Sequence, residues 1–315
     1  MLPTPSHRAA SAAAKEKGSA GPVRRRRKTG TLCAIWRNIC KSLPIKIRMC
    51  FLVDLIVKEA IRIAELAGKK IKEIREKELY EESLKYGYEL VTTADLVSNE
   101  VIREELSKSF PTHNYISEEE NQKDLIIHNP TWIVDPIDGT VGYANNQYQV
   151  AVSIAYAVEN EVKVGVVYNP FLDELFYAMV NSGAYLNNKP IKVKKVNELS
   201  QCVVGTGFPH KRDNIHMLLN QLQNILPRIR DIRRLGSPAL DICWVACGRL
   251  QGFYEGKLSP WDIAAAKCIA IEAGAKTGFY SIADNNIPDC VNGNNIIITS
   301  PGIFEEMLGL LKTCD

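Results

Sequence analysis

A run of strand-forming sequence in the middle of the chain constrains the fold more than any other feature. Thr131–Val134 and Tyr148–Val158 are apolar and rich in β-branched and aromatic residues, and Glu161–Tyr168 alternates between apolar and polar positions. Glu174–Val180 follows after a turn and predicts a strand that pairs back on the one before it. Because these strands follow one another without intervening helices, the run predicts an antiparallel sheet.

Helical patterns flank this run on both sides. Before it, apolar residues recur at helical spacing from Val53 to Ile74, and a second helix is predicted over Leu96–Phe110. After Val196 the predicted order is strand, helix, strand and helix, and the last helix covers Ile303–Leu311. A chain of 315 residues has room for two packed domains or one large layered domain. This order of elements predicts stacked α and β layers.

Charge is distributed unevenly along the chain. Residues 1–50 hold 12 lysines and arginines against the single acid Glu16, a net charge of +11, so the overall charge of +3 leaves −8 on the remainder. The basic segment predicts a disordered extension, and its composition is also typical of an organelle transit peptide. The acidic remainder is a poor surface for nucleic acid, so we do not expect a nucleic-acid partner.

The apolar runs and the cysteines indicate the environment of the protein. No apolar run approaches the roughly 20 residues of a spanning helix, so no membrane partner is expected. The nine cysteines are dispersed and form no Cys-x-x-Cys pair, which is typical of a reducing compartment and unlike a zinc site. We therefore predict a cytoplasmic protein, or an organellar one if residues 1–48 are a transit peptide.

The segment Trp132–Thr140, with the sequence WIVDPIDGT, holds the most informative polar residues. An apolar strand delivers Asp135 at its end and Asp138 follows within one turn, so both carboxylates can converge on one point. Gly139 and Thr140 lack bulk and can begin a helix whose free N–H groups bind phosphate. Two carboxylates beside phosphate suit Mg²⁺. The alternative is a capped turn in which both aspartates accept backbone hydrogen bonds.

Three other segments place acids after strands or at helix starts. Ser117–Glu120 contains three consecutive glutamates, which in isolation are typical of a solvated surface. Asp262 stands at the start of an alanine-rich helix, and Asp95 starts a helix after a short strand; both positions are typical of helix caps. Each segment alone has this structural explanation, and only their joint occurrence points to a metal site.

Together, the four segments resemble the motifs of the inositol monophosphatase family of Mg²⁺-dependent, lithium-sensitive phosphatases. The signature Trp-Ile-x-Asp-Pro-Ile-Asp-Gly-Thr is intact at residues 132–140, and Trp-Asp-x-Ala-Ala-Ala stands at residues 261–266. The Leu-Val-Thr-x-x-Asp and paired-glutamate elements are present in the family's order. The resemblance runs from about Phe51 to the C-terminus, and residues 233–255 look closest to bacterial members.

The resemblance implies a layered αβαβα sandwich of the type that the family shares with fructose-1,6-bisphosphatase. It implies an N-terminal lobe of residues 51–196 that carries most metal ligands. A C-terminal lobe of residues 197–315 is expected to supply Asp262 and substrate contacts. A homodimer is expected on the same ground.

The resemblance also assigns roles to individual residues. It implies two or three Mg²⁺ ions, whose ligands are Glu118, Asp135, the carbonyl of Ile137, Asp138 and Asp262. The residues expected to orient or activate the attacking water are Asp95, Thr140, Glu118 and Lys85. The residues expected to contact the substrate are Glu118, Ile137, Asp138, Gly139, Thr140, Arg233, Gly236, Ser237, Pro238, Glu255 and Asp262.

The reaction implied is hydrolysis of inositol monophosphate, or of a similar small polyol phosphate, by metal-activated water. Val141-Gly142-Tyr143 departs from the Thr/Ser-Asn-Phe common in inositol-type members, and Ser117 replaces a usual glycine. Phosphatases of the same fold that act on 3′-phosphoadenosine phosphate or fructose 1,6-bisphosphate are therefore alternatives. A further alternative is a non-catalytic scaffold that binds nucleic acid or the transcription machinery through its basic segment.

Overall fold

The computed structural model describes five stretches of the chain, residues 45–85, 89–120, 127–208, 215–281 and 287–312. The predicted extension over residues 1–50 lies outside the described residues up to position 44, and helix α1 then spans Ile45–Glu76. None of the helices in the described stretches has both the length and the apolar character that a bilayer crossing requires.

The first half of the chain forms a large sheet. Two short antiparallel strands and a helix follow α1, namely β1 (Glu82–Lys85), β2 (Glu89–Thr92) and α2 (Thr93–Ser109). Seven strands and one short helix come next, namely β3 (Asn114–Ser117), β4 (Thr131–Asp138), α3 (Thr140–Ala144), β5 (Ala151–Val158), β6 (Glu161–Asn169), β7 (Glu174–Met179), β8 (Ala184–Leu186) and β9 (Lys189–Ile191). The seven strands pair in chain order. All pairs are antiparallel, as predicted, except that β3 runs parallel to β4.

Both faces of the large sheet are covered. On β5, Val152 and Ile154 pack with α1 and α2, whereas Ala151 and Ala155 belong to the core on the opposite face. A strand that is buried on both faces has no solvent-facing positions to fill with polar residues. This is why the sequence of β5 is apolar throughout instead of alternating.

The second half of the chain adds four helices and a smaller sheet. Its elements are β10 (Val203–Thr206), α4 (Ile215–Ile225), β11 (Asp231–Arg233), α5 (Pro238–Ala246), β12 (Gly252–Glu255), α6 (Pro260–Glu272), β13 (Lys276–Phe279), β14 (Ile296–Thr299) and α7 (Phe304–Lys312). The strands pair in the order β11-β10-β12-β14-β13. Strand β10 is parallel to β11 and β12, and β14 is antiparallel to β12 and β13.

Helices α5 and α6 lie between the two sheets. Their apolar side chains share one core with the large sheet and with Phe253 and Ile298 of the small sheet. On the outer face of the small sheet, Ile225 of α4 and Met307 of α7 pack with Ile297. The layers are therefore helix, sheet, helix, sheet, helix, which confirms the expected αβαβα sandwich. The lobe boundary between residues 196 and 197 stays a prediction.

A close contact between α6 and the large sheet brings two halves of the site together. A Cβ at Gly165 in β6 would lie 2.2 Å from the carbonyl oxygen of Ala265 in α6. Only a glycine leaves space for the helix at this distance. Asp135 lies in β4, and Asp262 lies in the first turn of α6. The close approach of α6 to the sheet therefore sets the distance between these two aspartates, which are far apart in the sequence.

Candidate active site

Strand β4 delivers two aspartates to one place by means of a bulge. Its pairing with β5 changes register between Asp135 and Asp138, around Pro136, which has no N–H to donate to the ladder. The backbone N–H of Ile137 donates to Asp135 Oδ1 at 3.0 Å. Side chains three positions apart in a regular strand point to opposite faces of a sheet, so the bulge is what places both carboxylates in one site.

Glu118 reaches the same place because β3 and β4 are parallel. Ser117 is in register with Val134, and the N–H of Glu118 donates to the carbonyl oxygen of Val134 at 3.3 Å. The two strands therefore end at the same edge of the sheet, where the carboxyl groups of Glu118 and Asp135 interact. Of the three consecutive glutamates, Glu118 is the one that faces the aspartates.

The cap predicted at Asp262 is present, Asp138 bonds to the start of α5, and each of these carboxylates uses one oxygen in the recorded hydrogen bonds. Asp262 Oδ2 accepts from the N–H of Ser259 at 2.7 Å at the start of α6. Asp138 Oδ2 accepts from the Ser237 hydroxyl and, at 2.9 Å, from the N–H of Ala239 in α5. The second oxygen of each group remains available, so the capping and metal-binding explanations are compatible.

Three carboxylates meet closely enough to share a cation. One oxygen from each of Asp135, Asp138 and Asp262 lies within 4.8 Å of the others. Asp135 and Asp138 are 2% and 3% exposed. The donors are all oxygens, which are the ligands that Mg²⁺ prefers.

Burial makes this cluster electrostatically unfavourable without a cation. Burial, with a smaller contribution from neighbouring carboxylates, raises the pKa of Glu118 to about 8, that of Asp262 to about 8 and that of Asp138 to about 7. Lys85 opposes the effect, since its Nζ lies 3.5 Å from Glu118 Oε1 and also contacts Glu119. The ammonium group beside Glu118 does not balance the four carboxylates of Glu118, Asp135, Asp138 and Asp262, so these residues fit a divalent cation.

Thr140 and Asp95 form a second polar pair beside the bulge. The Thr140 hydroxyl lies 2.9 Å from Asp95 Oδ1 and 3.0 Å from the carbonyl oxygen of Ile137. Asp95 is fixed in the first turn of α2, where its Oδ2 accepts from the N–H of Thr92 at 2.8 Å. The pair therefore holds a hydroxyl group at a defined position next to the carboxylate cluster.

Gly139 connects the bulge to helix α3 in a conformation that favours glycine. Its φ is +96°, and a Cβ would lie 2.8 Å from the carbonyl oxygen of Gln149 and 3.1 Å from that of Gly236. On the other side, Ser237 caps α5, whose first residue is Pro238. The starts of two helices thus line the same space.

We expect Gly139→Ala to lower, about 100-fold, the kcat of the hydrolysis that the family resemblance implies, because the methyl group must displace the backbone that carries Thr140. The melting temperature should fall by roughly 5 °C. Gly183→Ala is the matched control, since its φ is +80° and nothing lies within 4 Å of its Cβ. The control should lose stability while kcat is retained, and an unchanged kcat in Gly139→Ala would contradict the prediction.

These groups line one cavity of about 150 Å³. The cavity brings together all the expected metal ligands and most of the expected substrate contacts, namely Glu118, Asp135, Ile137, Asp138, Gly139, Thr140, Gly236, Ser237, Pro238, Glu255 and Asp262. Residues in or next to β3, β4, α3, α5, β12 and α6 therefore meet in one place.

Comparison with known proteins agrees with this geometry. The model of the inositol monophosphatase family matches residues 53–311. The chain belongs to the inositol monophosphatase family. The expected family is thereby confirmed, and the protein is a phosphatase of the inositol monophosphatase superfamily, whose members are generally metal-dependent.

The relatives of this chain include a protein named inositol monophosphatase and a protein named Nus factor. Inositol monophosphatase 1 of Solanum lycopersicum is 40% identical over 228 residues, which cover 69% of this chain and 83% of that protein. Nus factor SuhB of Pasteurella multocida is 34% identical over 257 residues, 81% of this chain and 95% of that protein. The crystal structure of the extragenic suppressor protein SuhB from Bartonella henselae superposes with a TM-score of 0.75 at 32% identity, covering 82% of this chain and 98% of that one.

Three residues assigned from the family resemblance, Arg233, Lys85 and Asp95, are not among the residues that line the cavity; Asp95 reaches it through Thr140. Arg233 ends β11 with an exposed side chain that pairs with Asp231 at 2.6 Å, whereas the next residue, Arg234, lines the cavity. Successive side chains of an extended chain point to opposite sides, so only one of the two arginines can face the site. Lys85 touches the site through its contact with Glu118 and is not part of the cavity wall.

Asp241 is a residue of the cavity that no family motif indicates. It is 1% exposed, and within the described part of the chain its Oδ1 has no hydrogen-bond partner. Burial and the charge of Glu255 raise its pKa well above the ordinary value. An acid in the first turn of an otherwise apolar helix was the available signal, the same one that indicates Asp262.

Proposed function

We propose that the protein hydrolyses inositol monophosphate, or a similar small polyol phosphate, to the free alcohol and phosphate with the aid of Mg²⁺. The observation that carries the proposal is the meeting of Asp135, Asp138 and Asp262 in a cavity that Gly139 and Thr140 also line. Carboxylates alone would suit a structural cation, but the adjacent helix starts add affinity for phosphate. The tomato relative named inositol monophosphatase 1 supports the substrate class.

The metal ligands proposed for two or three Mg²⁺ ions are Glu118, Asp135, the carbonyl of Ile137, Asp138 and Asp262. Buried oxygen donors whose pKa values are raised by burial and, to a smaller extent, by neighbouring carboxylates support this assignment. When bound, Mg²⁺ polarises the phosphoryl oxygens, lowers the pKa of a bound water and stabilises the leaving alkoxide.

Thr140 and Asp95 are proposed to hold the attacking water. If the Thr140 hydroxyl donates to Asp95 Oδ1, 2.9 Å away, its lone pairs can accept a hydrogen bond from that water. The proton that the water loses would go to the Thr140 oxygen while Thr140 passes its own hydroxyl proton to Asp95 Oδ1, and Asp95 can hold that proton because burial raises its pKa. The N–H groups of the first turn of α3 have no acceptor within the helix and can donate to the phosphoryl oxygens.

The opposite wall of the cavity is proposed to contact the polyol. Glu255 ends β12, is 7% exposed and lines the cavity together with Asp241. Both carboxyl groups can accept hydrogen bonds from hydroxyl groups. A substrate without hydroxyls would leave these buried groups unpaired, so this wall favours a polyol over a simple alkyl phosphate.

Phosphate release from inositol 1-phosphate tests the proposal. The full chain with Mg²⁺ should release phosphate, and excess EDTA should abolish the activity. Cyclohexyl phosphate, which has the ring but no hydroxyls, should have a kcat/KM about 100-fold lower. Activity that resists EDTA, or equal rates on the two substrates, would contradict the proposal.

A second candidate substrate class is a bisphosphate, such as 3′-phosphoadenosine 5′-phosphate or fructose 1,6-bisphosphate. Two cations, Arg234 and Lys257, line the cavity with the acids. Lys257 also has φ +62°, a conformation that costs a non-glycine residue about 1 kcal/mol. If the second candidate is right, Arg234→Gln should lower kcat/KM for a bisphosphate about tenfold and change that for inositol 1-phosphate less than twofold. Arg233→Gln is the matched control, and equal losses on both substrates would exclude this class.

The assembly and location of the protein are also proposals. The family resemblance supports a homodimer, which sedimentation equilibrium would test. The described cysteines are free thiols, which supports a cytoplasmic location. A role as a scaffold, for which the relative named Nus factor SuhB is the support, would show as RNA binding that weakens steeply with salt and needs residues 1–48.

A further inference from the structure

Arg75 is a buried cation outside the cavity. It lies in the last turn of α1 and is 7% exposed. Among the described residues it forms no ion pair with a carboxylate; its recorded contacts are a backbone carbonyl and two aromatic rings. Burying a charge without a counter-ion costs free energy, so the contacts of this guanidinium must be worth that cost.

Two of the three recorded contacts of Arg75 are to the segment 139–149, which follows the bulge of β4, and the third is to Phe171 after β6. The Nη1 of Arg75 donates to the carbonyl oxygen of Gln147 at 2.6 Å. The guanidinium carbon lies 5.5 Å from the centre of the Tyr143 ring and 3.2 Å from that of Phe171. Tyr143 in turn donates from its hydroxyl to the carbonyl oxygen of Ile71, in the same helix as Arg75, at 2.7 Å.

The end of the segment 139–149 contacts the residues on either side of Thr140. The N–H of Gln147 donates to the carbonyl oxygen of Gly142 at 2.9 Å, and the carbonyl oxygen of Gln149 is the atom that a Cβ at Gly139 would meet. Helix α3 has only five residues, and so short a helix has little stability of its own. Contacts from outside α3 therefore determine where its first residue lies.

We propose that Arg75 is a positioning residue for phosphate hydrolysis, which holds the segment 139–149 so that Thr140 meets Asp95. The inference rests on the proposed function of the site. It concerns how α3 is placed and needs no particular substrate.

Kinetics of single and double variants test the proposal. Arg75→Met should lower kcat on the best substrate about 30-fold and change KM less than threefold. In a Thr140→Ala background the same change should lower kcat less than threefold, because the group that it positions is already absent. Arg62→Met, which removes an exposed arginine of the same helix, should leave kcat unchanged in both backgrounds. If the kcat losses of Arg75→Met and Thr140→Ala multiply fully in the double variant, the proposal is wrong.

Amide hydrogen exchange tests how residues 139–149 are held without measuring activity. A failure of this inference can therefore be told apart from a failure of the proposed function. In the metal-free protein, Arg75→Met should speed amide exchange in peptides covering residues 139–149 at least tenfold, with little change in β7. Arg75→Lys keeps a cation that can reach Gln147, so it should retain most of the protection that Arg75→Met loses. Unchanged exchange at 139–149 in Arg75→Met would overturn the proposal.

Discussion

Replacing Asp135 by asparagine is expected to lower kcat for phosphate release about 1,000-fold or more. Asp135 is 2% exposed and lies between Glu118 and Asp138, so it is the carboxylate expected to contact more than one metal ion. Asparagine keeps the shape and one oxygen but removes the charge that holds a cation. The loss of several kcal/mol of transition-state stabilisation corresponds to this factor.

The measurement is phosphate release over a range of Mg²⁺ concentrations, so that weakened metal binding is separated from a slower reaction. Asp231→Asn is the control, because it changes an exposed aspartate that is paired with Arg233. The asparagine variant should fold, since the change relieves repulsion among buried acids. Wild-type kcat in Asp135→Asn at saturating Mg²⁺ would disprove the metal assignment.

The metal-free protein is expected to lose stability as the pH rises from 4 to 8. Glu118, Asp138 and Asp262 have pKa values of about 8, 7 and 8 in the folded state, well above those of unfolded carboxyl groups. The folded protein therefore binds more protons than the unfolded chain in this range, so raising the pH favours unfolding. The contribution is complete below about pH 4 and is lost as the pH passes through 7 to 8.

Thermal unfolding in EDTA tests this expectation. Each pKa unit corresponds to about 1.4 kcal/mol, so several kcal/mol and a fall in melting temperature of roughly 10 °C are expected. Mg²⁺ should raise the melting temperature at pH 8 far more than at pH 5, because it binds the ionised groups. Asp135→Asn should show a weaker pH dependence in EDTA. A metal-free melting temperature that rises between pH 6 and 8 would refute the argument.

Arg233 and Arg234 differ in where the fold places them, and the substrate contact expected of Arg233 stays a prediction. Motif resemblance identifies the loop but not which of two adjacent arginines faces the cavity, because that depends on the path of the chain as it leaves β11 at Arg233. Asp241 was missed, since an acid at a helix start is typical of a cap. Asp241 is buried because α5 packs between the two sheets, and the local sequence does not indicate this packing.

Local sequence determined the elements and their chemical groups. The apolar run of β4, the proline that interrupts its ladder and the glycine that needs a positive φ all act over a few residues, so they could be recognised without a fold. The tertiary structure places Glu118 next to Asp135 because β3 and β4 pair in parallel. It places Asp262 near both because α6 packs closely against Gly165 of the large sheet. Such encounters depend on packing between segments far apart in the chain, and no local pattern encodes the distance at which they meet.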